Sequence, residues 1–187
     1  MAPITVMVVA IAIGARGLAG EEAAGTMGLL LSNPISRRRV VIEKALAMVV
    51  HAAAVGAATF AGVAVADAMS GLGMSVVGIA SVSLLVTLLG LGFGALALAL
   101  GAWTGRTKTA VFGTIAVATT SHLLDAFLPL NDSLEPWAKL TPHAYYLGGD
   151  PLVRGFQIGD TAVLATVFAT LVVVAVIGFE RRDLRRG

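Results

Sequence analysis

Residues 76–102 read VVGIASVSLLVTLLGLGFGALALALGA, a run without a charge or a proline. As an α-helix it would extend roughly 40 Å, against about 30 Å of bilayer hydrocarbon. Such a stretch belongs in a membrane, tilted or reaching past the lipid. It must be helical, because a lone strand would leave its backbone groups unsatisfied there. Composition agrees. The 187 residues are 57% hydrophobic and 13% charged, about half the charged content usual in a soluble domain, and the mean hydropathy is +0.90. A soluble fold of this size would have almost nothing polar to turn toward water.

Three more runs are long enough to cross: Ala45–Ala66, Ala110–Leu128 and Thr161–Phe179. A shorter one, ITVMVVAIAIGA at 4–15, falls short of the roughly 20 residues a span needs. It makes a poor secretory signal, because no basic segment precedes it and Arg16 follows it. The expected fold class is all-α: a single-domain polytopic transmembrane helical bundle over residues 1–187, with about five membrane segments and a short amphipathic cytoplasmic helix.

Charge orients the bundle. Of 13 basic residues, all but Lys139 and Arg154 lie in alternate connections: 16–44, 103–109 and the tail from Glu180. Positive-inside bias puts these connections in the cytoplasm. The N-terminus is then outside, the C-terminus cytoplasmic, and 129–160 an extracytoplasmic loop of a multi-pass cell-membrane protein. The net charge is +2 and the basic residues flank apolar runs, so the bilayer is the expected partner and nucleic acid is not. With no cysteine, disulfides, iron–sulfur clusters and thiolate zinc sites are excluded.

On the cytoplasmic side, 21–36 reads EEAAGTMGLLLSNPIS, with RRR after it. Ala23, Met27, Leu30 and Leu31 share one helical face. Glu21 and Glu22 suit the positive end of a helix dipole. Asn33-Pro34 should stop that helix, and Ser36 should cap the next. The pattern fits a surface hairpin that anchors two spans, and equally a docking element for a cytoplasmic protein.

Within the spans, Gly90 and Gly94 are four apart, as are Gly62 and Ala66, a spacing that lets helix backbones approach closely. His51, His122 and Asp125 are ionisable groups in apolar runs and should face protein or a water-lined cavity. One His and one Asp make an incomplete metal site, and His143 could join them only if the outer loop folded back. They are candidate polar helix contacts or path-lining groups. Trp137, Tyr145, Tyr146 and Phe156 should sit at the outer interface, with 134–140 a short interfacial helix. Nucleotide-binding, zinc-protease and serine-hydrolase motifs are all missing from the sequence, so no catalytic, cofactor or metal site is expected.

EEAAGTMGLLLSNPISRRRVVIEK resembles the glutamate–glycine–threonine, leucine-rich, proline–isoleucine–serine–arginine signature of ABC-2 type permeases, the membrane subunits of ATP-driven transporters. GALALALGAWTGR, LLDAFLPL, LTPHAYYLGGDPLVRG and FERRDLR resemble later parts of that family, in the same order. The resemblance implies a non-catalytic permease, an exporter, pairing with a second permease subunit as a homo- or heterodimer. It implies that a separate ATP-binding subunit docks on the cytoplasmic segment, with Glu22, Gly25, Thr26, Leu30, Leu31, Pro34, Ser36 and Arg37 as the matching positions. It also implies six helices, so the chain reads as incomplete at its N-terminus, lacking the family's first helix and most of the second. The alternatives are a non-transporting scaffold or degenerate permease fragment, and an ion-coupled carrier or intramembrane enzyme built on His51, His122 and Asp125.

Overall fold

The computed structural model describes residues 2–26, 36–131 and 133–182. The described residues are all-α, and the chain is a multi-pass membrane protein. The helices are α1 (Ala2–Gly17), α2 (Ala19–Ala23), α3 (Arg37–Ser70), α4 (Val76–Thr104), α5 (Thr107–Phe127), α6 (Glu135–Ala138), α7 (Ala144–Leu147), α8 (Pro151–Arg154) and α9 (Ile158–Arg181). Four of them, α3, α4, α5 with its following turn, and α9, are long and apolar enough to cross a membrane, and α1 is a shorter apolar helix.

The helix ends follow local chemistry. Ser36 caps α3 by accepting from the Arg39 amide at 3.3 Å, as expected. Gly71 and Gly105 close α3 and α4 with φ of 66° and 64°, where a side chain would be strained. The Asp67 carboxylate accepts from the Met74 amide at 3.0 Å and so holds the α3–α4 turn. α3 runs 34 residues, longer than the 45–66 run, because its first turns carry charge beyond the apolar part.

α4 is the axis. In its most apolar stretch 61% of residues are buried, against 17–22% in the other three long helices. α1, α3, α5 and α9 pack around it. Each contact is set by a small residue. A Cβ on Gly14 would run into the Gly94 carbonyl of α4, and one on Gly94 would meet the Ala10 oxygen at 2.9 Å. On Gly90 it would meet Val6 Cγ1 at 2.6 Å. Across α3, Gly56 leaves room for Thr87, and across α9, Gly178 leaves room for the Trp103 ring, whose Nε1 donates to the Val174 carbonyl at 3.0 Å.

The register shows how the short helix is used. Val6 of α1 faces Gly90, at the midpoint of α4, and Ala19 faces Gly101 near its end. α1 therefore runs parallel to α4 over one half of it. Val6, Ala10, Ala15 and Leu18 are buried, so α1 is an integral packing element and does not lie flat. The other half of α4 is covered by the loop 128–157. α8 seats its Leu152 backbone in the notch at Gly78, and Ser81 donates to the Gly155 carbonyl at 3.0 Å. Tyr145 and Tyr146 pack against the Leu85–Leu89–Phe93 cluster. Both are partly buried against that cluster, whereas Trp137 and Phe156 are exposed. The expected 134–140 helix is a single turn, Glu135–Ala138.

Gly94→Val should lower stability by about 1–3 kcal/mol through overpacking against α1 and Met48, read as earlier thermal aggregation of detergent-solubilised protein. Gly92→Ala, whose Cβ would meet only Val167 Cγ1 at 3.9 Å, should be neutral or stabilising by up to about 1 kcal/mol from helix propensity.

Candidate functional site

Two polar constellations stand at opposite ends of the bundle. At the basic end, α1 passes into α2, which begins at Ala19 and stops at Ala23. Gly25 has φ 72°, so α2 ends in a turn at 24–26 and does not run on as a helix through Gly25. Thr26 Oγ1 secures the turn by donating to the Glu21 carbonyl at 3.1 Å and to the Glu21 carboxylate. Met27, Leu30, Leu31 and Pro34 lie outside the described residues.

The two acids of α2 have different partners. Lys44 Nζ of α3 lies 2.7 Å from Glu21 Oε1. The hydrogen bonds from Lys44 and Thr26 hold the Glu21 carboxyl below the usual carboxylate range. Glu22 pairs with Arg182 at the end of α9, and the two side chains are only 12% and 17% exposed. The Arg182 guanidinium occupies the space a Cβ on Gly105 would take, so it touches the α4–α5 turn as well. The other described end of the segment closes on the same place. Arg37 Nη1 donates to the carbonyls of Phe179 at 3.2 Å and Arg182 at 2.6 Å, and its Cζ lies 5.9 Å from the Phe179 ring centroid. Phe179 is fully buried. A cation over unpaired carbonyls at a helix C-terminus is favourable for the dipole. Glu22 and Arg37, 15 positions apart, thus meet at one helix end.

Arg182, Phe179 and Lys44 escaped the sequence-based assignment. The contacts of Phe179 and Arg182 span 142 to 160 positions and the Lys44–Glu21 pair spans 23, and none carries a local signature. The one available clue was that the tail ERRD belongs to the same basic side as 21–44.

At the opposite end the outer loop does fold back. His143 Nδ1 is 3.2 Å from Ser121 Oγ. Its ring centroid is 5.2 Å from that of His122 and 5.6 Å from that of Phe93 in α4. Thr141 Oγ1 donates to the Asp125 carboxylate at 3.2 Å. A cleft of about 510 Å³ lies beneath, lined by Asp125, Glu135, Lys139, His143, Gln157 and Asp160 among others. Beside it, an apolar groove of about 700 Å³ runs between α5 and α6, past Thr120, Leu124 and Trp137. His51 joins neither constellation: it lies exposed on α3, its Nδ1 2.7 Å from the Ala47 carbonyl.

Among the described residues, no group of three or more His, Cys, Asp or Glu could hold a metal ion. The outer cluster can order a loop and respond to protons. Burial pushes His143 below the usual histidine value, with His122 adding to this and Asp125 opposing it. The neutral form is therefore the one the fold favours. Its contribution is complete above the unfolded value of about 6.5 and is lost as pH falls through the lower folded value. Limited proteolysis within 133–156 should accelerate below pH 6.5 in the native protein, and His143→Gln should flatten that dependence.

Comparison with known proteins bears on both ends. The family model described as ABC-2 family transporter protein matches residues 1–184. No curated protein matches the chain. The match overturns the expectation of a partial, N-terminally truncated likeness, because it covers nearly the full chain, from residue 1 to residue 184.

Proposed function

The chain belongs to the ABC-2 family of transporter proteins, and on that footing we propose that it is the membrane-spanning subunit of an ATP-driven exporter. The sequence has no phosphate-binding loop, so ATP is hydrolysed by a separate subunit. That subunit docks on residues 21–36 at the basic, cytoplasmic end of the bundle, where the C-terminus also lies. A second permease subunit, identical or related, completes the assembly. Substrate moves along the path between the two.

The observation that carries this is the anchorage of the coupling segment. Its described ends, Glu22 and Arg37, are held by the bundle itself, at the end of α9. A load applied to the segment is delivered to a membrane helix rather than dissipated in a free loop. The small buried share of α3 and α5 supports the rest, because it leaves two long helices with faces for a second subunit and a path. Exposed Thr119, Thr120 and His122 on α5 give that face some polarity for a passing solute. The non-transporting alternative would not need a braced coupling segment.

Lysines in place of Leu30 and Leu31 should abolish recovery of the ATP-binding subunit with the tagged chain from its native membrane, while the chain's abundance and thermal stability stay unchanged. In the cysteine-free protein, a cysteine at position 28 should react with an impermeant maleimide only after the cytoplasmic side is opened. Undiminished recovery, or labelling from outside, would refute the assignment.

A further inference from the structure

Arg182 lies outside the signature segment, yet it joins three elements. It pairs with Glu22 of α2, fills the notch left by Gly105 in the α4–α5 turn, and ends α9. Its backbone carbonyl accepts from Arg37 at 2.6 Å, so the other described end of the coupling segment closes on the same residue. Both ends of that segment are therefore fastened to residues 179–182, and the Glu22–Arg182 pair is the one charge-to-charge tie between the segment and α9 among the described residues.

Along α9 the packing is suited to carry a displacement. Its Gly178 lies flat against the Trp103 ring of α4, and that ring's Nε1 is bonded to the Val174 carbonyl. Farther along, Val167 Cγ1 would be only 3.9 Å from a Cβ on Gly92. A helix moves as a rigid rod over this length, so a shift applied at Arg182 reaches Ile158 at the opposite end. α3 is tied to α2 as well, through Lys44 and Glu21, but that pair is 30% exposed on each side and is weakened by solvent. The Glu22–Arg182 pair is better shielded, and its geometry is charge-assisted.

We propose that Arg182 is a positioning residue that transmits movement of the coupling segment to α9, so that α9 is the membrane helix that follows the ATP-binding subunit. This rests on the docking of that subunit at residues 21–36. A break in the tie should leave docking in place and disconnect α9.

The test uses the complex in lipid nanodiscs, with Ile158→Cys as the reporter at the outer end of α9. Ile158 is 85% exposed and the native chain has no cysteine. The rate of maleimide labelling is compared between nucleotide-free and ATP-bound complexes. The native background should show a several-fold difference in rate. Arg182→Gln and Arg182→Glu should abolish that difference while the ATP-binding subunit still co-purifies. The exchange Glu22→Arg with Arg182→Glu should restore it, which a variant that merely misfolds would not do. Three results would overturn the proposal: a native rate indifferent to nucleotide, a response that survives Arg182→Gln, or loss of the subunit from the Arg182 variants, which would make Arg182 a docking residue. Failure to recover any ATP-binding subunit with the unsubstituted chain is distinguishable from all three. It would remove the docking premise, and the proposal with it.

Discussion

Backbone-to-backbone contact between α1 and α4 is the constraint on which the bundle depends. Helices in lipid gain little from hiding apolar surface from each other, so close packing must hold them together. Gly14 and Gly94 face each other with no space for a methyl group on either, and Gly90, about one turn away on α4, receives Val6. Once α1 is locked there, α2 is placed beside the end of α4, with Ala19 against Gly101. The start of the coupling segment is thereby fixed relative to the core. Its two acids then lie within reach of Lys44 and Arg182, and the polar assembly at the basic end follows from an apolar contact deeper in the membrane.

α1 covers half of α4, and a different kind of structure covers the other half. The loop 128–157 supplies short helical turns, two partly buried tyrosines and a histidine that reaches Phe93. One end of the bundle is therefore organised by regular helix packing and the other by irregular chain held through side-chain hydrogen bonds. The two ends also differ in what holds them: ion pairs between helix ends at one, and a loop hydrogen-bonded through a titratable histidine at the other.

Much of this was legible in the sequence. Long uncharged runs dictate membrane helices because nothing else satisfies the backbone, and the glycine spacing in α4 announced a close crossing without saying which helix would make it. The serine before RRR capped α3 as its chemistry requires. Other features were hidden for physical reasons. The helical periodicity through Ala23 and Met27 concealed that Gly25 adopts a left-handed conformation, which apolar spacing does not report. Tyr145 and Tyr146 have the composition of interface aromatics, and their partial burial against α4 depends on how the loop folds, which their spacing does not report. His143 could meet His122 only if its loop folded back, which the sequence does not report, and Arg182 is 160 residues from Glu22. Those pairings exist only once the bundle has brought the helix ends together.

The close of α9 has a practical consequence for anyone who handles this protein. Its last turn is wrapped by Arg37 and its final described residue is wedged against Gly105 and Glu22. A bulky group introduced at position 182 would disturb both the ion pair with Glu22 and the hydrogen bond from Arg37, so a reporter placed there would alter the contacts it was added to observe. A reporter at the exposed Leu72, in the turn between α3 and α4, stands clear of them.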